Sequence, residues 1–235
     1  MSGRRLEIGW RRPLHVREER VSAREDACRL TYVSDVHLRP GRSDRLRRLV
    51  LEAVTASAPD VVLLGGDLVD RAAELGALTD LVHELRRLAT VLAVGGNHDQ
   101  RVGLDRVGGA VEAAGGLWIH GGSAVVTHRG RMIAVAGPEA RAPIDGHVRI
   151  LCAHDPRIWR RCRQEGYDLV LAGHLHGCQV VACQFRGRLF PGALVYPGCF
   201  LRRRHGATRL VVSRGVSDLV PIRWRCPREV VLCHV

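Results

Sequence analysis

The sequence predicts a single α/β domain, and three observations lead to that prediction. The chain has 235 residues with an ordinary balance of apolar and charged residues, which suits one domain with a sizeable core. In its first half, short apolar runs alternate with patterns of amphipathic helices. The sequence contains no internal repeat and no low-complexity linker. We expect residues 1–28 to form an N-terminal arm and residues 29–235 to form the domain.

The expected elements follow from hydrophobic spacing and from turn residues. Strands that lead into polar loops are expected over 29–34, 61–64, 91–94, 148–153 and 169–171. Helices are expected over 43–58, 75–88, 104–114 and 156–165. Short strands that pair antiparallel across tight turns are expected over 117–120, 124–129 and 132–137. Residues 180–235 are mostly strand-like, and the arm contains a short strand near 14–16.

The charge of the chain favours a phosphate-bearing partner. The formal net charge is +12 and every basic residue is arginine, a side chain that suits bidentate contacts to phosphate. This charge does not choose among nucleic acid, anionic lipid and nucleotides. Because no apolar segment approaches the roughly 18 residues of a membrane helix, and no signal peptide is evident, we expect a cytoplasmic protein. Any contact with an anionic membrane would be peripheral, through Arg4, Arg5, Arg11 and Arg12.

The cysteine pattern argues against two kinds of structural cross-link. The chain has eight cysteines but no C-x-x-C pair, so a zinc ribbon or zinc finger is not expected. Without an export signal, disulfides are not expected either. We predict buried free thiols that pack as small apolar side chains.

Five loops that carry metal-ligand side chains follow predicted strands. They contain Asp35-x-His37, Gly66-Asp67, Asn97-His98-Asp99, His154 and His174-x-His176. In α/β sheets, sites assemble outside the carboxyl ends of the strands, so these loops are expected to converge. Their mixed oxygen and nitrogen donors suit Mn, Fe or Zn better than calcium.

Each loop taken alone has a more ordinary interpretation. A single Asp67 after two glycines, or a single Asn97, is more often a turn residue. His154, which precedes Asp155 and Pro156, could simply precede a helix cap. The metal-site hypothesis rests on all five loops occurring together and in order.

The ordered motifs D-x-H, G-D, G-N-H-D, H and G-H-x-H resemble those of the calcineurin-like metallophosphoesterase superfamily. The resemblance spans about residues 29–179. The segment GHLHGCQ, the later Tyr196-Pro197-Gly198 and the C-terminal sequence resemble a bacterial branch that includes membrane-associated phosphoesterases and UDP-diacylglucosamine hydrolases. The resemblance implies a four-layer α/β/β/α sandwich of two mixed sheets flanked by helices.

The resemblance also implies how two divalent ions (Mn, Fe or Zn) would be held. The matching ligand positions are Asp35, His37, Asp67, Asn97, His154, His174 and His176. One ion would be bound by Asp35, His37 and His176. The other would be bound by Asn97, His154 and His174. Asp67 would bridge the two ions.

The function implied is hydrolysis of a phosphomonoester or phosphodiester through a metal-bridging hydroxide. By the same resemblance, His98 would hold the phosphate and protonate the leaving oxygen, and Asp99 would orient its imidazole. The expected substrate is a phosphorylated small molecule or a lipid-linked phosphate. Two alternatives are a catalytically silent scaffold of this fold and a nucleic-acid phosphodiesterase. Leu175 and Cys178 depart from the residues common in the bacterial branch, where threonine and glycine are usual.

Overall fold

The computed structural model describes residues 6–10, 12–140, 145–218 and 220–235. Of the four arginines expected to contact a membrane, Arg12 belongs to these ranges, and Arg4, Arg5 and Arg11 lie outside them. Within the described ranges, no helix has the length and apolar character needed to cross a membrane.

The strands and helices largely follow the expected order. The strands are β1 Leu6–Ile8, β2 His15–Arg20, β3 Arg29–Val33, β4 Val61–Gly65, β5 Thr90–Val94, β6 Leu117–Trp118, β7 Ser123–His128, β8 Arg131–Ala136, β9 Val148–Cys152, β10 Leu169–Ala172, β11 Val181–Phe185, β12 Arg188–Pro191, β13 Arg202–His205, β14 Thr208–Val212, β15 Ile222–Trp224 and β16 Glu229–His234. The α-helices are α1 Ser43–Ser57, α2 Leu75–Arg86, α3 Asn97–Val102, α4 Leu104–Ala113, α5 Trp159–Cys162 and α6 Gly192–Val195. Single 3₁₀ turns cover Ala72–Glu74, Pro156–Ile158 and His176–Cys178.

Two six-stranded mixed sheets form the centre of the molecule. Their strand orders are β2-β16-β3-β4-β5-β6 and β13-β14-β10-β9-β8-β7. One hydrophobic cluster fills the space between the sheets, a second joins the first sheet to α1, α2 and α4, and a third covers the second sheet beneath α5. The expected arrangement of two mixed sheets flanked by helices is confirmed.

The continuous apolar runs are explained by burial on both faces of each sheet. In β4, Val61 and Leu63 face the second sheet, whereas Val62 and Leu64 face the helices. Strand β10 alternates in the same way between the inter-sheet core and the outer layer. Because successive side chains point to opposite faces, a strand buried on both faces must be apolar throughout.

The N-terminal segment, expected as an arm, contributes two strands. Strand β1 pairs antiparallel with β15, and β2 pairs parallel with β16 at the edge of the first sheet. The strand expected near residues 14–16 therefore runs from His15 to Arg20.

The three short strands expected as one antiparallel set divide between the two sheets. Strands β7 and β8 pair antiparallel, as expected. Strand β6 instead pairs parallel with β5 in the first sheet, so the antiparallel expectation is wrong for it. The chain then crosses between the sheets beside Gly137, where a Cβ would collide with the carbonyl oxygen of Ile119. This crossing depends on a contact between residues distant in sequence, which local spacing does not reveal.

The prediction that the cysteines are buried free thiols holds for most of them and is wrong for one pair, which forms a disulfide. The structure joins Cys178 to Cys199 by a disulfide. The other six are free, and all of these except Cys183 are buried. The pair forms because the turn His176–Cys178 packs against the start of α6, and a spacing of 21 residues does not predict that contact.

A buried carboxylate in β16, that of Glu229, forms ion pairs with an arginine of β2 and with Arg214, and this arrangement leads to a prediction about stability. Glu229 is fully buried, and its carboxylate accepts hydrogen bonds from Arg17 Nε at 3.1 Å and Arg214 Nε at 2.8 Å. Burial alone would raise the pKa of Glu229, but the two guanidinium groups hold that pKa below its usual range. Replacing Glu229 would remove the carboxylate partner of Arg214 and would leave Arg17 with Glu19 alone.

We expect Glu229→Gln to lower the free energy of unfolding at neutral pH by about 3 kcal/mol, the usual cost of breaking a buried ion pair. The stabilisation by Glu229 is present above the pKa of an unfolded glutamate and is lost as the pH falls through the lower pKa of the folded state. The difference between the two proteins in urea denaturation should therefore shrink in acid. Glu52→Gln, on the exposed side of α1, is the control and should change little.

Candidate metal centre

The five predicted ligand loops meet at one end of the two sheets. Asp35 and His37 follow β3, Asp67 follows β4, and Asn97 follows β5 as the first residue of α3. From the second sheet, His154 follows β9, while His174 and His176 follow β10. All these strands end in parallel at the same edge, so side chains separated by more than a hundred residues lie side by side.

The backbone of these loops adopts a conformation that non-glycine residues seldom take. The φ angles are 57° at Asp35, 49° at His37, 52° at Asp67, 77° at His174 and 48° at His176. Such left-handed conformations cost free energy and are concentrated at functional sites, where the surrounding structure maintains them.

The first cluster consists of Asp35, His37 and His176. One ligand atom from each lies within 4.8 Å of the others, and the distance from His176 Nε2 to Asp35 Oδ1 is 3.7 Å. Asp35 and His37 are fully buried. His37 Nε2 is buried without a hydrogen-bond partner, and an unpaired buried nitrogen of this kind fits a metal ligand.

The second cluster consists of Asp67, His154 and His174, again with ligand atoms within 4.8 Å of one another. His154 Nε2 lies 3.1 Å from Asp67 Oδ2 and 3.3 Å from His174 Nδ1. Asn97 Oδ1 is buried without a hydrogen-bond partner. Its amide oxygen is therefore free to serve as a further donor beside the cluster.

The carboxylate of Asp67 faces both clusters. Its Oδ2 atom lies 3.7 Å from His37 Nε2 in the first cluster and 3.1 Å from His154 Nε2 in the second. Its Oδ1 atom accepts a hydrogen bond of 2.8 Å from the backbone N–H of His98. This placement suits a carboxylate that bridges two cations.

Three of the histidines are oriented from behind by a hydrogen bond at Nδ1. His154 Nδ1 donates to the carbonyl oxygen of Gly65 at 3.0 Å, and His176 Nδ1 donates to that of Ser217 at 2.8 Å. His37 Nδ1 lies 2.7 Å from Asp70 Oδ1. Since a carbonyl oxygen only accepts, Nδ1 of His154 and of His176 carries a proton, so Nε2 of each ring is the atom whose lone pair faces the site once that ring is neutral.

The carboxylates and histidines shift one another's proton affinity. Burial alone would raise the pKa of Asp67, but the hydrogen bond and charge of His154 hold that pKa well below its usual range. Burial would lower the pKa of His154, yet its hydrogen bond to Asp67 and the charge of Asp35 raise that pKa to about 9. Without a metal, a protonated imidazole balances the carboxylates, so metal binding has to displace that proton.

The structure assigns His98 a different partner from the expected one. His98 Nδ1 lies 2.9 Å from Asp70 Oδ1, and the same oxygen contacts His37. Asp99 was expected in that place, but its carboxylate accepts backbone N–H groups of Leu68 at 2.9 Å and Gly96 at 2.8 Å. Asp99 is completely buried, and burial raises its pKa to about 6.

Sequence reasoning missed Asp70. Asp99 turns inward because it sits in the first turn of α3 and pairs with backbone N–H groups there and in the loop after β4. The only sequence signal for Asp70 is its position three residues after Asp67 in GDLVD. Its importance comes from the contact with two histidines from separate loops.

A close backbone approach at Gly173 gives a prediction about the first cluster. A Cβ at Gly173 would lie 2.5 Å from Asp35 Oδ2 and 2.6 Å from Ser34 Oγ. We expect Gly173→Ala to displace the Asp35 carboxylate and to lower metal content, measured by elemental analysis of the purified protein. Gly109→Ala is the matched control, because nothing lies within 4 Å of its added carbon. Equal metal content in the two variants would contradict the placement of Asp35.

Comparison with known proteins agrees with this geometry. Residues 28–178 match the family model of calcineurin-like phosphoesterases, and this range contains all seven predicted ligands. The chain belongs to the calcineurin-like phosphoesterase family. It is therefore a hydrolase of phosphoric esters, and its ligand clusters fit divalent metal ions.

The relatives of this calcineurin-like phosphoesterase include bacterial proteins. It is 28% identical to phosphodiesterase YaeI of Escherichia coli over 75% of this chain and 70% of that protein. It is 27% identical to the uncharacterized protein YpbG of Bacillus subtilis over 63% of this chain and 61% of that protein. The fold matches a phosphopantetheinyl hydrolase of Mycobacterium tuberculosis with a TM-score of 0.50 at 13% identity, covering 85% and 96% of the two chains.

Proposed function

We propose that the protein is a dinuclear metal phosphoesterase that hydrolyses a phosphodiester or a phosphomonoester. The observation that carries this proposal is the carboxylate of Asp67, which faces two separate ligand clusters. The buried, unpaired atoms His37 Nε2 and Asn97 Oδ1 support it, one on each side of the site. When bound there, two divalent ions would supply activation of water and neutralisation of charge on the phosphoryl group.

The protein's own side chains have distinct parts in this chemistry. An open cleft of about 590 Å³ reaches Asn97, His154 and His174, and Arg157 and Arg161 line its wall. The arginines suit the phosphate of an incoming ester. The ligand carboxylates and histidines hold the ions, and the cleft orients the ester against them.

His98 is proposed to supply the proton to the leaving oxygen. Its Nδ1 is occupied by Asp70, so Nε2 is the nitrogen that remains to exchange a proton with substrate. Asp70 would hold the ring in position, the part that Asp99 was expected to play. Asp99 would instead fix the start of α3, and with it the backbone that carries His98.

The substrate class remains a proposal. Similarity to phosphodiesterase YaeI favours a diester, and resemblance to the bacterial branch favours a lipid-linked or nucleotide-sugar phosphate. A nucleic-acid phosphodiesterase is the second candidate, supported by the net charge of +12. Nucleic-acid binding that hardly changed with salt would rule out an electrostatic interaction of that kind. The cytoplasmic location stays a prediction.

The experiment that tests this function measures metal content and hydrolysis on the same sample. We expect two equivalents of divalent metal and hydrolysis of bis(p-nitrophenyl) phosphate or p-nitrophenyl phosphate. Chelation should remove both, and Mn, Fe and Zn added separately should identify the ion that restores turnover. Hydrolysis that survives complete metal removal would contradict the proposal. A screen of physiological phosphoesters on the reloaded enzyme would then define the substrate.

A further inference from the structure

A long stretch of the chain beside the metal centre contains no acidic residue. Between residues 169 and 217 the sequence has no aspartate or glutamate but has seven arginines, at 186, 188, 202, 203, 204, 209 and 214. Arg186, Arg188, Arg203 and Arg204 are exposed, and among the described residues none of these four lies within 4 Å of a carboxylate. Arg202 and Arg214 pair with Glu19 and Glu229, and the four exposed arginines give the surface of this stretch a strong positive charge.

The same stretch exposes consecutive large apolar side chains at helix α6. Leu194 is 77% exposed, Val195 is 71% exposed and Tyr196 is 54% exposed. We call residues 194–196 the apolar projection. Single exposed apolar residues are ordinary, but three in a row indicate a surface that is covered in use.

The base of the apolar projection is firmly anchored. A Cβ at Gly192 would collide with Cys178, and Ala193 packs on a small core of Val181, Leu189 and other buried side chains. Because the preceding residues of α6 are held inward, Leu194 and Val195 point away from the protein. Their exposure is thus built into the fold of the β11–β12 hairpin and α6.

A basic, partly apolar pocket connects the apolar projection to the metal centre. It has a volume of about 380 Å³ and runs from His174 to Tyr196. Its walls carry the arginines at 157, 160 and 203, with Leu175 and Phe200, and one carboxylate, Asp155, which pairs with Arg157. A phosphate group that entered beside the projection would therefore reach a ligand of the proposed second ion.

We propose that the apolar projection and the arginines of the adjoining pocket, at 157, 160 and 203, form a docking surface for an anionic lipid bilayer. Leu194 and Val195 enter the interfacial layer, and the arginines contact lipid phosphates. The inference deepens the proposed phosphoesterase function, on which it rests, by placing the pocket and metal centre against a surface rich in phosphoesters. This surface is separate from the N-terminal arginines.

Other occupants fit the chemistry of this face less well. Nucleic acid would engage the arginines but would gain little from exposed leucine and valine, since single strands stack on aromatic rings. A second copy related by a two-fold axis would bring the same acid-free face against itself, so the arginines would repel one another. An anionic bilayer matches both the charge and the apolar side chains.

The test is co-sedimentation of the metal-loaded protein with vesicles of phosphatidylcholine alone or mixed with phosphatidylglycerol. We expect binding to the mixed vesicles only, weakening as salt is raised. Leu194→Ser/Val195→Ser should lower the partition coefficient about a hundredfold, because burial of each of the two aliphatic side chains strengthens binding about tenfold or more. Leu88→Ser/Val125→Ser, at exposed apolar positions elsewhere, is the matched control and should bind as the wild type does.

A second measurement covers the case in which the double variant misfolds. In Leu194→Trp, we expect the tryptophan emission to shift to shorter wavelength with phosphatidylglycerol vesicles, whereas Leu88→Trp should show no added shift. Equal binding of the wild type and a folded Leu194→Ser/Val195→Ser variant would overturn the proposal. So would a stable wild-type dimer that this variant converts to monomer without lipid.

Hydrolysis of bis(p-nitrophenyl) phosphate, a soluble ester, separates this proposal from the proposed function. The folded Leu194→Ser/Val195→Ser variant should retain that activity, because neither side chain lines the pocket or contacts the ligand clusters. If the wild type binds anionic vesicles but hydrolyses no phosphoester, the proposed function fails and the docking surface stands. If it hydrolyses the soluble ester but ignores the vesicles, only the docking surface fails.

Discussion

Replacing Asp67 with asparagine is expected to lower kcat by about a thousandfold or more, because metal-assisted charge stabilisation supplies several kcal/mol and each 1.36 kcal/mol is tenfold. Asp67 Oδ2 is the atom that faces both ligand clusters, at 3.7 Å from His37 Nε2 and 3.1 Å from His154 Nε2. Asparagine keeps the size of the side chain but removes its charge and one acceptor oxygen. The substitution should therefore weaken the binding of both ions at once.

Two measurements show whether Asp67 acts as a bridge. Elemental analysis should find fewer than two equivalents of metal in Asp67→Asn, and excess metal should restore little of the turnover. Asp44→Asn, at an exposed carboxylate on α1, is the control and should match the wild type in both respects. Full metal content together with unchanged turnover in Asp67→Asn would show that this carboxylate does not link the two clusters.

The parts of the molecule that sequence predicts well are those governed by local periodicity. The run from Val61 to Leu64 is apolar throughout because its side chains enter cores on both faces of the first sheet. Such a strand has to end where the chain leaves the core, and polar residues such as Asp67 can only be accommodated there. The convergence of the ligand loops follows from the parallel direction of these strands, so five short motifs are enough to indicate the site.

The parts that sequence misses depend on which side chains meet across the fold. Asp99 is adjacent to His98 in the sequence, whereas Asp70 lies far upstream, and only the three-dimensional structure shows that Asp70 is the carboxylate that contacts the imidazole. For the same reason, the sequence does not predict the disulfide between Cys178 and Cys199. The apolar projection at α6 was also not apparent, since Leu194 and Val195 have the composition of a buried segment.

The second large effect is expected for His98→Ala. His98 lies outside the two clusters proposed to hold the ions, although with His37 and Asp70 it forms another group of possible ligand atoms. Because the proposed ligands themselves are unchanged in this variant, we expect its metal content to remain near two equivalents. On an ester with an alkyl leaving group, the loss of a positioned general acid should lower kcat by about a hundredfold to ten-thousandfold. Asp70→Asn should have a mixed effect, since Asp70 contacts both His98 and His37. We expect it to lower both kcat and metal affinity, the latter by about tenfold to a hundredfold.

The role of His98 can be determined from how the loss of activity in His98→Ala depends on the leaving group of the ester. If its imidazole donates a proton to the leaving oxygen, the variant should lose far less activity on a p-nitrophenyl ester, whose leaving group needs little protonation, than on an alkyl ester. If His98 only holds the phosphate, both esters should lose activity by the same factor. The ratio of the two losses in His98→Ala, measured at saturating metal, therefore separates proton transfer from positioning. Asp70→Asn should show a leaving-group dependence of the same sign, because the Nδ1 contact to Asp70 holds the ring that would carry the proton.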